Sequence, residues 1–141
     1  MLLRTAKLMC TMAVAIIFVV SGCAMFKGAT DEQLLSELLE SWATTMGAHE
    51  DVDAVMALYS EDYVGADGSD YQGMSDRLEQ FFPFFDQFDV EIDVSEATIE
   101  ITGDTATIAP VVLSAPQGEM AFTLECKKEG GKWLIVGSEQ A

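Results

Sequence analysis

Apolar positions change their spacing repeatedly along this 141-residue chain. From Leu8 to Val20 they run almost without a break, with Thr11 the exception. From Leu35 they recur at Leu35, Leu38, Leu39, Trp42 and Met46, the spacing of an amphipathic helix of about four turns. Thr30 with Gln33 reads as a capping box at its start, and Gly47 is placed to end it. Glu50 and Asp51 favour a second helix start, since acidic groups suit the positive end of the peptide dipoles. Val52, Val55, Met56, Leu58 and Tyr59 form its apolar side. Within Tyr63 to Tyr71, Asp67-Gly68 signals a turn between two short extended pieces. A third helix is predicted from about Met74 to Phe82, opened by Gly73 and limited or kinked by Pro83.

From Val90 the period drops to two. Val90, Ile92 and Val94 alternate with Glu91 and Asp93, and Ile99 and Ile101 with Thr98, Glu100 and Thr102. Gly103-Asp104 predicts a turn, Thr105 to Leu113 a strand, and Pro110 within it an edge position or a bulge. Pro116 to Gly118 connect to a strand over Glu119 to Lys128, and Gly130-Gly131 turn the chain into a last strand from Trp133 to Ser138. Helices followed by an antiparallel meander specify an α+β fold, with the helices covering one face of a curved sheet.

The apolar run near the start is preceded by Arg4 and Lys7, and as a helix it would span about 20 Å, short of a ~30 Å hydrocarbon core. That suits the apolar region of an export signal better than a membrane span. Val20-Ser21-Gly22-Cys23 then resembles the lipobox of bacterial lipoproteins: an aliphatic residue, two small residues and a cysteine. The resemblance implies a signal peptide over residues 1–22, lipid on Cys23, a tether over 23–29 and a domain over 30–141. It implies a protein of the cell envelope held by membrane lipid through Cys23. Ala24 after the cysteine implies the periplasmic face of the outer membrane in a Gram-negative cell.

Removing Arg4 and Lys7 with the leader leaves five basic residues against 24 acidic ones. Such a surface repels nucleic-acid phosphates and anionic headgroups alike, so no nucleic-acid partner is expected and lipid must supply the membrane affinity. Of three cysteines only Cys126 lies in the domain, alternating with Met120, Phe122 and Leu124, where it reads as a small buried hydrophobe. His49, the one histidine, is expected to face solvent between the first two helices, and Asp62, Asp67 and Asp70 to be solvated or capping. No zinc, calcium or phosphate-loop pattern occurs, and no metal or cofactor is expected.

The stretch from Asp53 to Tyr63, the Asp67-Gly68 turn, Gly73 and the closing Gly131-Lys132-Trp133-Leu134-Ile135-Val136 together resemble the nuclear-transport-factor-2-like superfamily, which takes in SnoaL-like and ketosteroid-isomerase-like domains. The resemblance implies a cone-shaped half-barrel closed at one end, with a pocket between helices and sheet, and often a homodimer through the outer sheet face. Fold alone does not set the activity. Trp42, Tyr59, Tyr63, Phe82, Phe85, Phe122 and Trp133 are candidates to line the pocket around a small apolar ligand, with Tyr59 and Tyr63 offering inward hydroxyls. No residue is assigned a catalytic role. The leading expectation is a lipid-anchored, non-catalytic domain that binds a small ligand or a partner. An isomerase or dehydratase working through a pocket carboxylate and a tyrosine remains an alternative, as does an envelope assembly module.

Overall fold

The computed structural model describes residues 28–141, so the expected leader and the expected lipidation at Cys23 lie outside the described residues. Helix α1 spans Asp31–Ala48 and buries Leu35, Leu38, Leu39, Trp42 and Met46, the stripe its spacing predicts. The chain leaves this helix through a left-handed residue, which is His49 (φ 41°) and not Gly47. Helix α2, Val52–Met56, is shorter than predicted: the Asp51 side chain accepts from the Ala54 amide to start it, but Leu58 and Tyr59 already lie beyond it. Tyr59 bridges to Ile135 of the sheet, with Ser60 N–H donating to the Ile135 carbonyl at 2.8 Å and Ile135 N–H to that of Leu58 at 2.9 Å.

The Asp67-Gly68 turn forms, with Gly68 at φ 81° and the short extended pieces bridged at Val64 and Asp70. Asp70 then caps helix α3, which spans Tyr71–Gln87 and is twice the expected length. Pro83 lies inside it without ending it. Its ring is on the exposed face, where water can take up the Glu79 carbonyl that loses its partner. The helix ends where Asp89 turns left-handed (φ 48°) and Val90 N–H reaches back to the Phe85 carbonyl.

The sheet comprises β1 (Glu91–Asp93), β2 (Thr98–Thr102), β3 (Thr105–Ala115), β4 (Gly118–Glu129) and β5 (Lys132–Gln140), all antiparallel. It is not a simple meander: β1 and β2 both pair with β3, β1 along Val112–Ser114 and β2 along Thr105–Ala109. They form one interrupted edge, which leaves β3 paired on both sides, so the edge position suggested by Pro110 is wrong. The bulge is right. The β3–β4 register shifts between Ile108 and Val111, and the extra residue lets both side chains point inward, fully buried. A second shift at Glu125/Cys126 against β5 adds to the curvature. Helices over a curved antiparallel sheet make the α+β cone.

One end of the cone is closed by Leu35, Val55, Ile108, Cys126, Trp133 and Ile135, each 3% exposed or less. There Asp31 Oδ1 accepts from Lys128 Nζ at 2.8 Å and from Trp133 Nε1 at 3.0 Å, tying the first turn of α1 to the sheet. These bonds, that of Lys128 foremost, hold the Asp31 carboxyl below the usual range. Burial pushes the Cys126 thiol up to about 12, consistent with an unreactive core residue.

His49 does not simply face water. Its ring is tilted against Phe85 at 5.3 Å, Nδ1 lies 2.7 Å from the Gly47 carbonyl and Nε2 lies 3.0 Å from Asp86 Oδ1. Both partners are acceptors, so both bonds form only with the imidazolium. The Gly47 carbonyl, followed by Asp86, raises the histidine pKa above its ordinary 6.5. A raised folded-state pKa stabilises the fold fully below the unfolded value and ceases to as pH rises through the folded one. The difference in melting temperature between the parent protein and His49→Gln is therefore expected to be largest at pH 5.5 and to shrink by pH 8.5. The effect is small because Asp86 is exposed. A difference that does not vary with pH would refute the bridging cation.

Candidate functional site

Away from its closed end the cone is hollow. The inward residues of β4 show the change in order: Cys126 is 1% exposed, Leu124 2%, Phe122 half-buried and Met120 47% exposed. The last three line a cavity of about 830 Å³ that opens beside the β3–β4 hairpin. Only the C-terminal half of α1 contributes, through Trp42 and Met46, because Leu35, Leu38 and Leu39 fill the closed end. The opposite wall is one face of α3, with Met74, Arg77, Leu78, Phe81, Phe84 and Phe85 at spacings of three and four, continued by its capping residue Phe88. The exposed rings of Phe81, Phe84 and Phe88 rim the mouth together with Met120.

Five of the seven candidates, Trp42, Tyr59, Tyr63, Phe85 and Phe122, come together around this cavity. Phe82 and Trp133 do not. Phe82 lies on the buried flank of α3 beside Leu78 and Phe85, edge-on to Phe85 and to His49, and belongs to the core. Trp133 faces the closed end, where its indole is bonded to Asp31. The residues missed by sequence reasoning are Arg77 and the rim aromatics. Their signal was present: Met74, Arg77, Leu78, Phe81, Phe85 and Phe88 follow helical spacing once α3 is allowed to run past Pro83.

Few polar groups reach this apolar surface. Trp42 Nε1 donates to Tyr59 Oη at 3.0 Å. An indole nitrogen can only donate, so the tyrosine oxygen accepts and its own proton is not used in that bond. Burial raises the Tyr59 pKa, and the group is a neutral donor. The Tyr59 and Tyr63 rings meet edge to face at 5.1 Å. Tyr63 Oη and Ser138 Oγ share a 2.7 Å hydrogen bond, with one proton between them and one to spare. Gly65 closes the loop over this pair: a Cβ there would fall 2.8 Å from Ser69 Oγ and 3.1 Å from Tyr63 Oη.

Among the described residues Asp67 is the one carboxylate that lines the cavity, and it sits at the mouth, with its side chain about half exposed. Ser69 donates to its Oδ1 through both Oγ and backbone N–H, and Arg77 pairs with Oδ2. These contacts, led by those of Ser69, hold the carboxyl well below the usual carboxylate range. Among the described residues no three His, Cys, Asp or Glu side chains converge as metal ligands.

Among solved structures the chain is similar to Bd1075 of Bdellovibrio bacteriovorus (17% identity over 76% of this chain, TM-score 0.61), although it spans only 38% of that protein. It is also similar to a protein of unknown function with a cystatin-like fold from Nostoc punctiforme (20% identity, 80% of this chain and 91% of the other, TM-score 0.60). A third is an NTF2-like protein of unknown function from Pseudomonas putida (16% identity, 78% and 84% covered, TM-score 0.64). At these identities the likeness is one of fold. No curated protein matches the chain. The SnoaL-like domain family matches residues 35–139, from the first buried turn of α1 to the end of β5, and the chain belongs to that family.

Proposed function

We propose that the domain binds a small, mainly apolar molecule in its cavity without transforming it, and that Cys23 holds it to a membrane of the cell envelope by lipid. The observation that carries the binding half is an 830 Å³ space walled by Trp42, Phe85, Phe122, Leu124 and their neighbours, with the Tyr59 hydroxyl as a neutral donor. Sites of this size with apolar walls and a few placed polar groups are what small-molecule binding requires. The lipid half rests on Val20-Ser21-Gly22-Cys23 and the charged, apolar leader before it.

An isomerase or dehydratase is the less favoured reading. A carboxylate base near neutral pH needs apolar surroundings that raise its pKa. Asp67 has the opposite setting, and Ser69 and Arg77 lower its basicity.

The binding half is tested with the neutral probe N-phenyl-1-naphthylamine, whose fluorescence rises in apolar surroundings. The parent protein is expected to enhance it saturably. Leu113→Trp, which places an indole in the cavity from a half-buried position on β3, is expected to reduce that enhancement to near background. Equal enhancement by a correctly folded Leu113→Trp protein would rule the cavity out as the binding place.

A further inference from the structure

We propose that the molecule bound in the cavity is an acidic amphiphile, an apolar chain or ring system carrying one carboxylate, and that Arg77 receives the carboxylate at the mouth. The inference rests on the binding function proposed above and narrows it to a ligand class.

The argument comes from the hydrogen-bonding capacity left on the cavity wall. Asp67 accepts three bonds, two from Ser69 and one from Arg77, which nearly fills the lone pairs a carboxylate presents in its plane. Among the described residues Arg77 is the only cationic side chain lining the cavity, and it donates to Asp67 through one of its five N–H groups. Its side chain is 41% exposed, so the guanidinium can turn toward a ligand without leaving a buried position. Deeper in, the Tyr59 hydroxyl accepts from Trp42 and keeps its own proton for donation, and the Tyr63–Ser138 pair has one proton to offer. From mouth to interior, then, Arg77, Tyr59 and the Tyr63–Ser138 pair each keep an N–H or O–H to donate, while Ser114, Gln117 and Gln140, which also line the cavity, can donate or accept. A ligand that fits has acceptors where those donors are, and apolar surface elsewhere.

Charge selects among acceptors. Only five basic residues follow the leader, against 24 acidic ones, so the protein as a whole repels anions. An anionic ligand requires a local cation, and Arg77 supplies it within a stripe of Met74, Leu78 and Phe81 that is otherwise apolar. A guanidinium also matches a carboxylate edge with two parallel bonds, which a neutral donor cannot do. Asp67 serves as the resting partner of Arg77, to be exchanged for the ligand's carboxylate or shared with it.

The test titrates the purified full chain with octanoate, octanol, octyltrimethylammonium and octyl phosphate, reading tryptophan fluorescence, since Trp42 lines the cavity. Octanoate is expected to bind about tenfold more tightly than octanol, the margin of one charge-assisted pair of about 1.4 kcal/mol. The cation is expected to bind no better than the alcohol. In R77Q the preference for octanoate should vanish while octanol affinity holds, and R77K should retain part of the preference, which separates a loss of charge from a loss of fold. Equal binding of octanoate and octanol by the parent, or a preference that survives in R77Q, overturns the inference and leaves the cavity-binding reading intact. A failure of every compound to perturb the fluorescence overturns both. Tighter binding of octyl phosphate than of octanoate overturns the carboxylate in favour of a phospholipid-type head.

Discussion

Ile135→Ala is expected to destabilise the domain by about 2–5 kcal/mol, toward the upper part of that range. The side chain is fully buried at the closed end, so truncation removes apolar contact and leaves a void that a rigid surround does not fill. Its backbone is also the hinge of the architecture. The Ile135 carbonyl accepts from Ser60 and its amide donates to the Leu58 carbonyl, which fixes the segment after α2 against the sheet. Ser60, itself 2% exposed, is further held by Glu129 at 3.2 Å. Tyr59, between the two bonded residues, therefore takes its position in the cavity from this junction. Urea denaturation should show a lower midpoint with an unchanged slope. The control is Ile101→Ala on β2, where a side chain 39% exposed is expected to cost much less. Equal losses at the two positions would mean that the closed end is not the tightly filled part of the cone.

The same division between filled and hollow ends explains which features were legible in the sequence. Periodicity reports which face of an element turns inward, and it did so for Leu35 to Met46 on α1 and for Phe122, Leu124 and Cys126 on β4. It does not report whether an inward residue meets another side chain or a space. Leu38 and Trp42 carry the same helical signal, but one is in the closed end and the other on the cavity wall. Trp133 and Phe82 were misplaced for this reason: both point inward, Trp133 toward Asp31 and Phe82 toward His49.

Other differences came from local rules that tertiary context overrode. Pro83 is a helix breaker by intrinsic preference, but its exposed face and the aromatic stripe buried across from it keep α3 helical to Gln87. Pro110 disrupts a ladder, and the register shift beside it accommodates the missing donor at the centre of the sheet. The pairing of β1 and β2 with one long partner was not readable from alternation, because alternation carries no information about which strand lies alongside. Arg77 carries no signal of its own in the sequence. It becomes informative only once its neighbours at three and four residues' distance are seen to wall a cavity.

Replacing Cys23 by alanine is expected to abolish lipid attachment altogether, the largest effect of any single change in the chain. Attachment through acyl chains is worth about 0.8 kcal/mol per buried CH₂, and one chain alone gives only marginal, reversible binding. The several chains implied by a lipobox bring lasting attachment, and the acidic domain offers nothing to replace them at an anionic bilayer. Growth with an alkyne-bearing palmitate analogue should label the parent protein and leave Cys23→Ala unlabelled, and mass spectrometry of the parent should find Cys23 as its first residue. The structure makes the readout clean within the domain. Cys126 is the one cysteine after Cys23, it is 1% exposed, and burial holds its thiol in the protonated, unreactive form. Label persisting in Cys23→Ala could not then be ascribed to Cys126 in a folded protein. Such label would move the acylation to another residue, and an unlabelled parent chain that starts at any other residue would remove the membrane from the account and leave a binding domain with no assigned place in the cell.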